Sequence, residues 1–152
     1  MNKDALLAAA RDGLRQRIEE SKVQLAQILR RANEAPGAME SHSDTDKNLY
    51  GRQAGGQQDA IGAMEVEYAL METLALPRSI VAEIGSLITT KDERGEFRYF
   101  ILPGGGGIKV FEGDHEVVVV TPATPLGSIL LGKKVGEIVA VGSRILTILE
   151  IA

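Results

Sequence analysis

The residue types with the most chemistry to offer are few and scattered. Gly104, Gly105, Gly106 and Gly107 place four consecutive amides without side chains, a run that can form an anion nest. No Lys-Ser/Thr pair and no helix of the right kind follow, so a phosphate loop is not specified, and the run reads as a flexible connection between two strands. Lys133 and Lys134 form a basic pair that suits a phosphate or nucleic-acid contact, but in an exposed turn two lysines read first as solvated. His42 and His115 stand alone, with no second ligand at metal spacing. No Ser-His-Asp arrangement can be assembled. The chain has no cysteine, which excludes disulfides, thiolate metal sites and cysteine nucleophiles, including a thiol-dependent condensing activity. The polar stretch ESHSDTDKN supplies three carboxylates, Glu40, Asp44 and Asp46, in a segment without apolar periodicity.

Two helices are required to present that stretch. Residues 3–33 are rich in Ala, Leu, Arg, Gln and Glu and read as one helix, because no proline interrupts before Pro36. Leu7, Leu14, Ile18, Leu25 and Ile28 form a narrow stripe, with Arg11 and Ser21 as weak places, suited to a single partner helix. Thirty residues make a rod of roughly 45 Å. Residues 35–56 hold Pro36, Gly37, Gly51, Gly55 and Gly56 and no apolar period, and read as a loop with some helix around residues 44–52. From about residue 57 to 76 a second helix carries Ile61, Met64, Tyr68, Met71 and Leu74, until Pro77 closes it. Gly62 inside it costs about 1 kcal/mol relative to Ala. The pair makes an antiparallel hairpin. Arg11, Arg15, Lys22, Arg30 and Arg31 on the first helix are interleaved with Asp12, Glu19 and Glu20, which reads as a salt-bridged solvent face.

Beyond Pro77 the period changes to short β-branched and aromatic runs at residues 84–90, 97–102, 108–111, 116–121, 137–141 and 144–151. Turns are expected at residues 91–95, 113–114 and 142–143. Among them lies a single helical segment, residues 124–131. Thr124 caps it, Pro125 suits its first position, and Leu126, Ile129 and Leu130 form one apolar stripe. Gly132 and Gly136 sit where the chain must turn. The fold class is therefore α+β. Residues 1–78 form a coiled-coil hairpin with an acidic tip at about 35–56, and residues 79–152 form an antiparallel sheet wrapped on one short helix, an FKBP-like arrangement.

The formal net charge is −4, with ten basic and twelve acidic residues up to Arg78 and seven and nine after it. That balance excludes an unaided nucleic-acid binder of the basic-patch kind. There is no signal peptide pattern and no long apolar run, so a cytoplasmic protein is expected, without membrane contact.

The segment TPATPLGSILLGKKVGEIV, residues 121–139, closely resembles the C-terminal signature of the GreA/GreB transcription elongation factors. The matching positions are Thr124, Pro125, Leu126, Gly127, Leu130, Leu131, Gly132, Lys133, Lys134 and Gly136, in structural or docking roles. The resemblance implies a protein that binds RNA polymerase, with the C-terminal domain on the polymerase rim and the hairpin in its secondary channel. It implies tip acids, here Asp44, Asp46 and Glu40, that help hold a catalytic Mg²⁺ of the polymerase so that backtracked RNA is cleaved. The chemistry is coherent, because a carboxylate supplied in trans completes the oxygen shell of a metal in a two-metal phosphoryl site. The chain would then be no enzyme itself, would hold no metal stably and no cofactor of its own, and would meet nascent RNA and DNA only within the elongation complex.

Residues 46–52 resemble the D-K-x-E-T-G-R tip of a shorter-tip branch. Asp46, Lys47, Gly51 and Arg52 match, while Leu49 stands where the second acid is expected. A hydrocarbon cannot ligate a metal, so Asp44 or Glu40 must substitute, or the protein occupies the channel without promoting cleavage. Two other classes remain open. One is a prolyl isomerase, for which only Phe97, Tyr99, Phe100 and Phe111 offer aromatic lining. The other is an interaction protein with a different partner, which a hairpin much shorter than about 45 Å would favour.

Overall fold

The computed structural model describes residues 1–34 and 41–152, with the backbone alone over 41–48. Helix α1 spans Lys3–Glu34 and α2 spans Ser41–Glu72. Six strands follow, β1 (Leu87–Asp92), β2 (Gly95–Ile101), β3 (Lys109–Glu112), β4 (His115–Val120), β5 (Ile138–Val141) and β6 (Arg144–Ile151), with helix α3 (Pro125–Leu130) between β4 and β5. The α+β class and all six expected strands are present, and β6 has the boundaries read from the sequence.

Two compact units result. One comprises Met1–Leu14 and Glu67–Ala152, the other Arg15–Val66. The expected division at residue 78 followed the change of period, whereas the compact division assigns the roots of both helices to the sheet unit.

Within the helical unit, Ile18, Ala54 and Ile61 are buried. The Gln57 side chain donates to the Ser21 carbonyl at 3.2 Å and to Gln24 Oε1 at 3.3 Å, and Lys22 pairs with Glu65 at 3.5 Å. The helices therefore run side by side in opposite directions. The expected loop at residues 35–56 is corrected here, since α2 already runs from Ser41 through Gly51, Gly55 and Gly56. A partner helix overrides the low propensity of those glycines, as the burial of Ala54 in the middle of the glycine-rich run shows.

None of these glycines is there for space. A Cβ at Gly56 or Gly62 would meet nothing within 4 Å. Gly56→Ala and Gly62→Ala are each expected to stabilise the helical unit by about 1 kcal/mol. Amide hydrogen exchange across α2 would read the gain as slower exchange of this helix.

The sheet order is β3-β4-β2-β1-β6-β5. Four of its pairs are antiparallel, but β2 and β4 are parallel, with Arg98 opposite Val117 and Ile101 opposite Val120. This corrects the wholly antiparallel expectation. After β2 the chain crosses to the sheet edge, forms β3, and returns as β4 between β3 and β2. The crossover includes the four-glycine run, fastened by Leu102 N donating to Val120 O and Gly107 N donating to Val119 O.

Tyr99 and Phe100 are both buried, although strand alternation sends them to opposite faces. The sheet is thus covered on both sides. On one face Ala82, Ile88, Tyr99, Ile101, Val120, Leu130, Val139, Leu146 and Ile148 form a core with Leu126 and Ile129 of α3 packed against it. On the other face Leu87, Phe100, Val110, Val117 and Val119 are buried, and the same unit buries Leu6, Leu7, Ala10 and Leu14 of α1 and Met71 of α2. Among the described residues no helix is long and apolar enough to cross a membrane.

Candidate functional site

The segment that resembles the GreA/GreB signature is an interlocked structural unit. Thr124 Oγ1 donates to Thr121 O at 2.7 Å and accepts from Gly127 N at 3.1 Å, capping α3 as expected. Leu130 is fully buried. Gly132 has φ +80, and its amide donates to Ala82 O at 2.8 Å. Ala82 N in turn donates to Lys133 O at 2.8 Å, and Val81 bridges Lys134. Lys134 N donates to Glu137 Oε2 at 2.6 Å, and Gly136 N to Ile148 O at 2.8 Å. The backbone of the Gly-Lys-Lys turn thus ties the segment after α2 to the sheet, while the Lys134 side chain is exposed.

The four-glycine run is no slack connection, and the flexible reading is corrected. Gly104 and Gly105 are buried, and a Cβ on Gly104 would lie 2.3 Å from Glu67 Cβ. Gly105 N donates to Glu67 Oε2 at 3.4 Å, so a carboxylate of α2 occupies one of the amides that an external anion would use. A Cβ on Gly13 of α1 would stand 3.0 Å from Ile108. These are glycines of close approach, chosen because two helix roots press on one loop.

Of the proposed tip residues, Glu40 lies outside the described residues, and so do the side chains of Asp44, Asp46 and Lys47. The backbone places Asp44, Asp46 and Lys47 in the first turns of α2, with Gly51 and Arg52 exposed further along it. Leu49, in the position of the expected second acid, is 51% exposed, and Tyr50 beside it is half-buried. Among the described residues no group of three or more His, Asp or Glu could hold a metal ion.

The aromatic residues are not gathered into one pocket. Phe97 and Tyr99 share a face, Phe100 lies on the other, and Phe111 is 62% exposed on β3. Arg144 lies 5.0 Å over the Phe97 ring, where a guanidinium is attracted by the π face. Its side chain donates to Asp92 Oδ2 at 3.2 Å and 3.0 Å and to the Tyr99 hydroxyl at 3.3 Å. Tyr99 and Asp92 both favour the charged guanidinium and push it above its ordinary range.

Asp92 is 4% exposed at its side chain and also accepts from Arg94 N at 2.7 Å. Burial pushes its carboxyl up, but the Arg94 amide and the Arg144 guanidinium outweigh that and hold it below the ordinary value. Nothing in the sequence pattern signals this cluster, because Asp92 and Arg144 stand 52 residues apart in separate hairpins.

A depressed carboxyl pKa stabilises the fold above the unfolded value and ceases to do so as pH falls through the folded value. The Asp92 contribution is therefore present above pH 3.8 and disappears on further acidification. Asp92→Asn is expected to be less stable than the parent at neutral pH, with the gap narrowing below that point. Denaturant titrations of both chains across the acid range measure it, and a gap independent of pH would refute the assignment.

No protein-family model and no curated protein matches the chain. Among solved structures it is similar to the crystal structure of GreA factor homolog 1 (Gfh1) of Thermus thermophilus, at 16% identity over 93% of this chain and 94% of that one, with a TM-score of 0.40. A second structure, of the transcription factor Gfh1, is 18% identical over 94% and 93% of the two chains, with a TM-score of 0.38. Thermus aquaticus Gfh1 is 15% identical over 95% and 94%, with a TM-score of 0.40. All three are Gfh1 structures, and the first is described as a GreA factor homolog.

Proposed function

We propose that this chain is a GreA/GreB-type transcription factor that binds RNA polymerase and acts through its secondary channel. The observation that carries the reading is the signature segment. The residues that give it its resemblance fold into one capped helix and turn, rather than being scattered over unrelated elements. Two further features support it. Each of α1 and α2 has 32 residues, about 48 Å of helix at 1.5 Å per residue, which fits the long hairpin that the resemblance implies, although the helical unit itself holds only residues 15–66. The acidic stretch opens the second of them.

Asp44 and Asp46 are the residues proposed to contact the polymerase Mg²⁺, with Glu40 as a third candidate. Any hydrolysis belongs to the polymerase. The exposed Leu49 favours a second reading, a factor that occupies the channel and modulates synthesis without promoting cleavage.

The experiment is RNA cleavage in stalled, backtracked elongation complexes of the cognate polymerase, with the parent chain and with Asp44→Ala/Asp46→Ala. Stimulation that falls to the factor-free level in the double variant establishes a cleavage factor. Binding without stimulation establishes the modulator. Absence of binding would sink the polymerase assignment and leave an interaction protein with another partner.

A further inference from the structure

Among the described residues β5 ends the sheet order, so its backbone is paired with β6 on one side and with no strand on the other. We propose that this edge is an interaction surface for a second copy of the chain, joined by antiparallel pairing of β5 with β5 about a two-fold axis at Val139.

The phase of the hairpin fixes which backbone groups face outward. Gly142, at φ +60, and Ser143 form a two-residue turn, so Val141 and Arg144 are a hydrogen-bonded pair. Such pairs alternate with non-bonded ones along an antiparallel ladder. Val139 and Glu137 therefore also bond inward, in keeping with the Ile148 amide donating to the Glu137 carbonyl at 2.9 Å. Ile138 and Ala140 turn their amides and carbonyls to the free edge. A second β5 brings the same pair of residues, and one register uses them all. Ile138 then lies opposite Ala140 of the copy, Ala140 opposite its Ile138, and the two Val139 residues meet on the axis.

The side chains select a copy as the occupant. Ile138 is 68% exposed and Ile145 is 65% exposed, and Ala140, paired with Ile145, is an exposed low place beside the edge. In the two-fold register Ile138 of the copy fills that place, over Ala140 and against Ile145, and Ile138 does the same in return. An isologous interface requires this self-complementarity. Residues 138–141 carry no charge, so like strands meet there without repulsion. The other edge strand is guarded, since β3 carries Lys109, paired with Glu116 at 3.2 Å, and Glu112, which accepts from the Asn2 amide at 2.9 Å. Charged side chains are a device that keeps a sheet edge from pairing. One short strand per copy covers far less than the roughly 800 Å² per partner of a stable interface, so the dimer is weak and reversible.

The test is analytical sedimentation of the purified full chain over a concentration series, repeated with Ala140→Pro, Ala140→Lys and Phe111→Lys. The parent is expected to pass from monomer to dimer between about 10 μM and about 1 mM, as a small seam dictates. Ala140→Pro removes an amide that points to the free edge, and Ala140→Lys puts a charge in the seam. Each should weaken association about tenfold or more, the loss of roughly 1.4 kcal/mol. Phe111→Lys on β3 should leave association unchanged. Because the chain has no cysteine, Val139→Cys reports the axis. Non-hydrogen-bonded pairs bring Cα atoms to about 4.5 Å, so oxidation should link two copies at position 139. Ile145→Cys, separated from its counterpart by both β5 strands, should not link. A chain that stays monomeric to the top of that range would overturn the proposal and leave the edge to a strand of another protein. So would association that both Ala140 variants leave intact, or a link at position 145 in place of 139, which would mean a face-to-face contact.

Discussion

Gly127→Ala is expected to unfold the sheet unit or to destabilise it by about 3 kcal/mol or more, the upper range for forcing volume into a packed site. A Cβ there would stand 1.9 Å from the Thr121 carbonyl oxygen and 2.8 Å from Thr124 Oγ1. The obstacle is backbone and the capping hydroxyl, neither of which can swing away as a flexible side chain would. The helix would have to part from the strand end that caps it, and the buried Leu130 would be drawn out of the core with it.

Gly136→Ala provides the contrast. This glycine belongs to the same signature and has φ +87, but nothing lies within 4 Å of a Cβ there. Its cost is conformational only, roughly 1 to 2 kcal/mol. Denaturant midpoints of the two variants measure the difference. Equal destabilisation would show that close approach is not what selects glycine at position 127.

Phe100→Ala is expected to cost about 3–5 kcal/mol, as for other fully buried aromatic residues. The ring is wholly inaccessible on the sheet face opposite α3, with Leu87 beside it in the β1 register. The loss combines transfer of the ring to water in the unfolded chain with the cavity left behind. Phe111→Ala on β3, 62% exposed, should change stability by less than about 1 kcal/mol, since little area returns to water. Equilibrium unfolding of both variants is the measurement. A small loss at Phe100 would mean that the helix roots can collapse onto the sheet to fill the space.

The places where sequence reading failed share one cause. Glycine was read as a breaker in residues 35–56 and as slack in residues 104–107, and both readings used local propensity alone. In α2, packing against α1 overrode it, with Ala54 buried amid the glycines. In the crossover, glycine marks contact, because Glu67 of α2 leaves no room for a side chain on Gly104. The stripe on α1 was legible from Leu7, Leu14 and Ile18 because a 3.6-residue period writes a buried face directly into the sequence. Leu6 and Ala10 were not legible, since they widen that stripe only where a sheet lies beside the helix.

By itself the sequence determined the six strands, the first long helix, the later part of the second, the Thr124 cap and the family that residues 121–139 resemble. Each of these is fixed by neighbours within a few positions, through period, capping or turn chemistry. Only the tertiary structure decided the parallel β2–β4 pair, the Asp92–Arg144 clasp and the reason for glycine at position 104. These depend on which separate segments meet, and such a contact leaves no periodic trace in either partner.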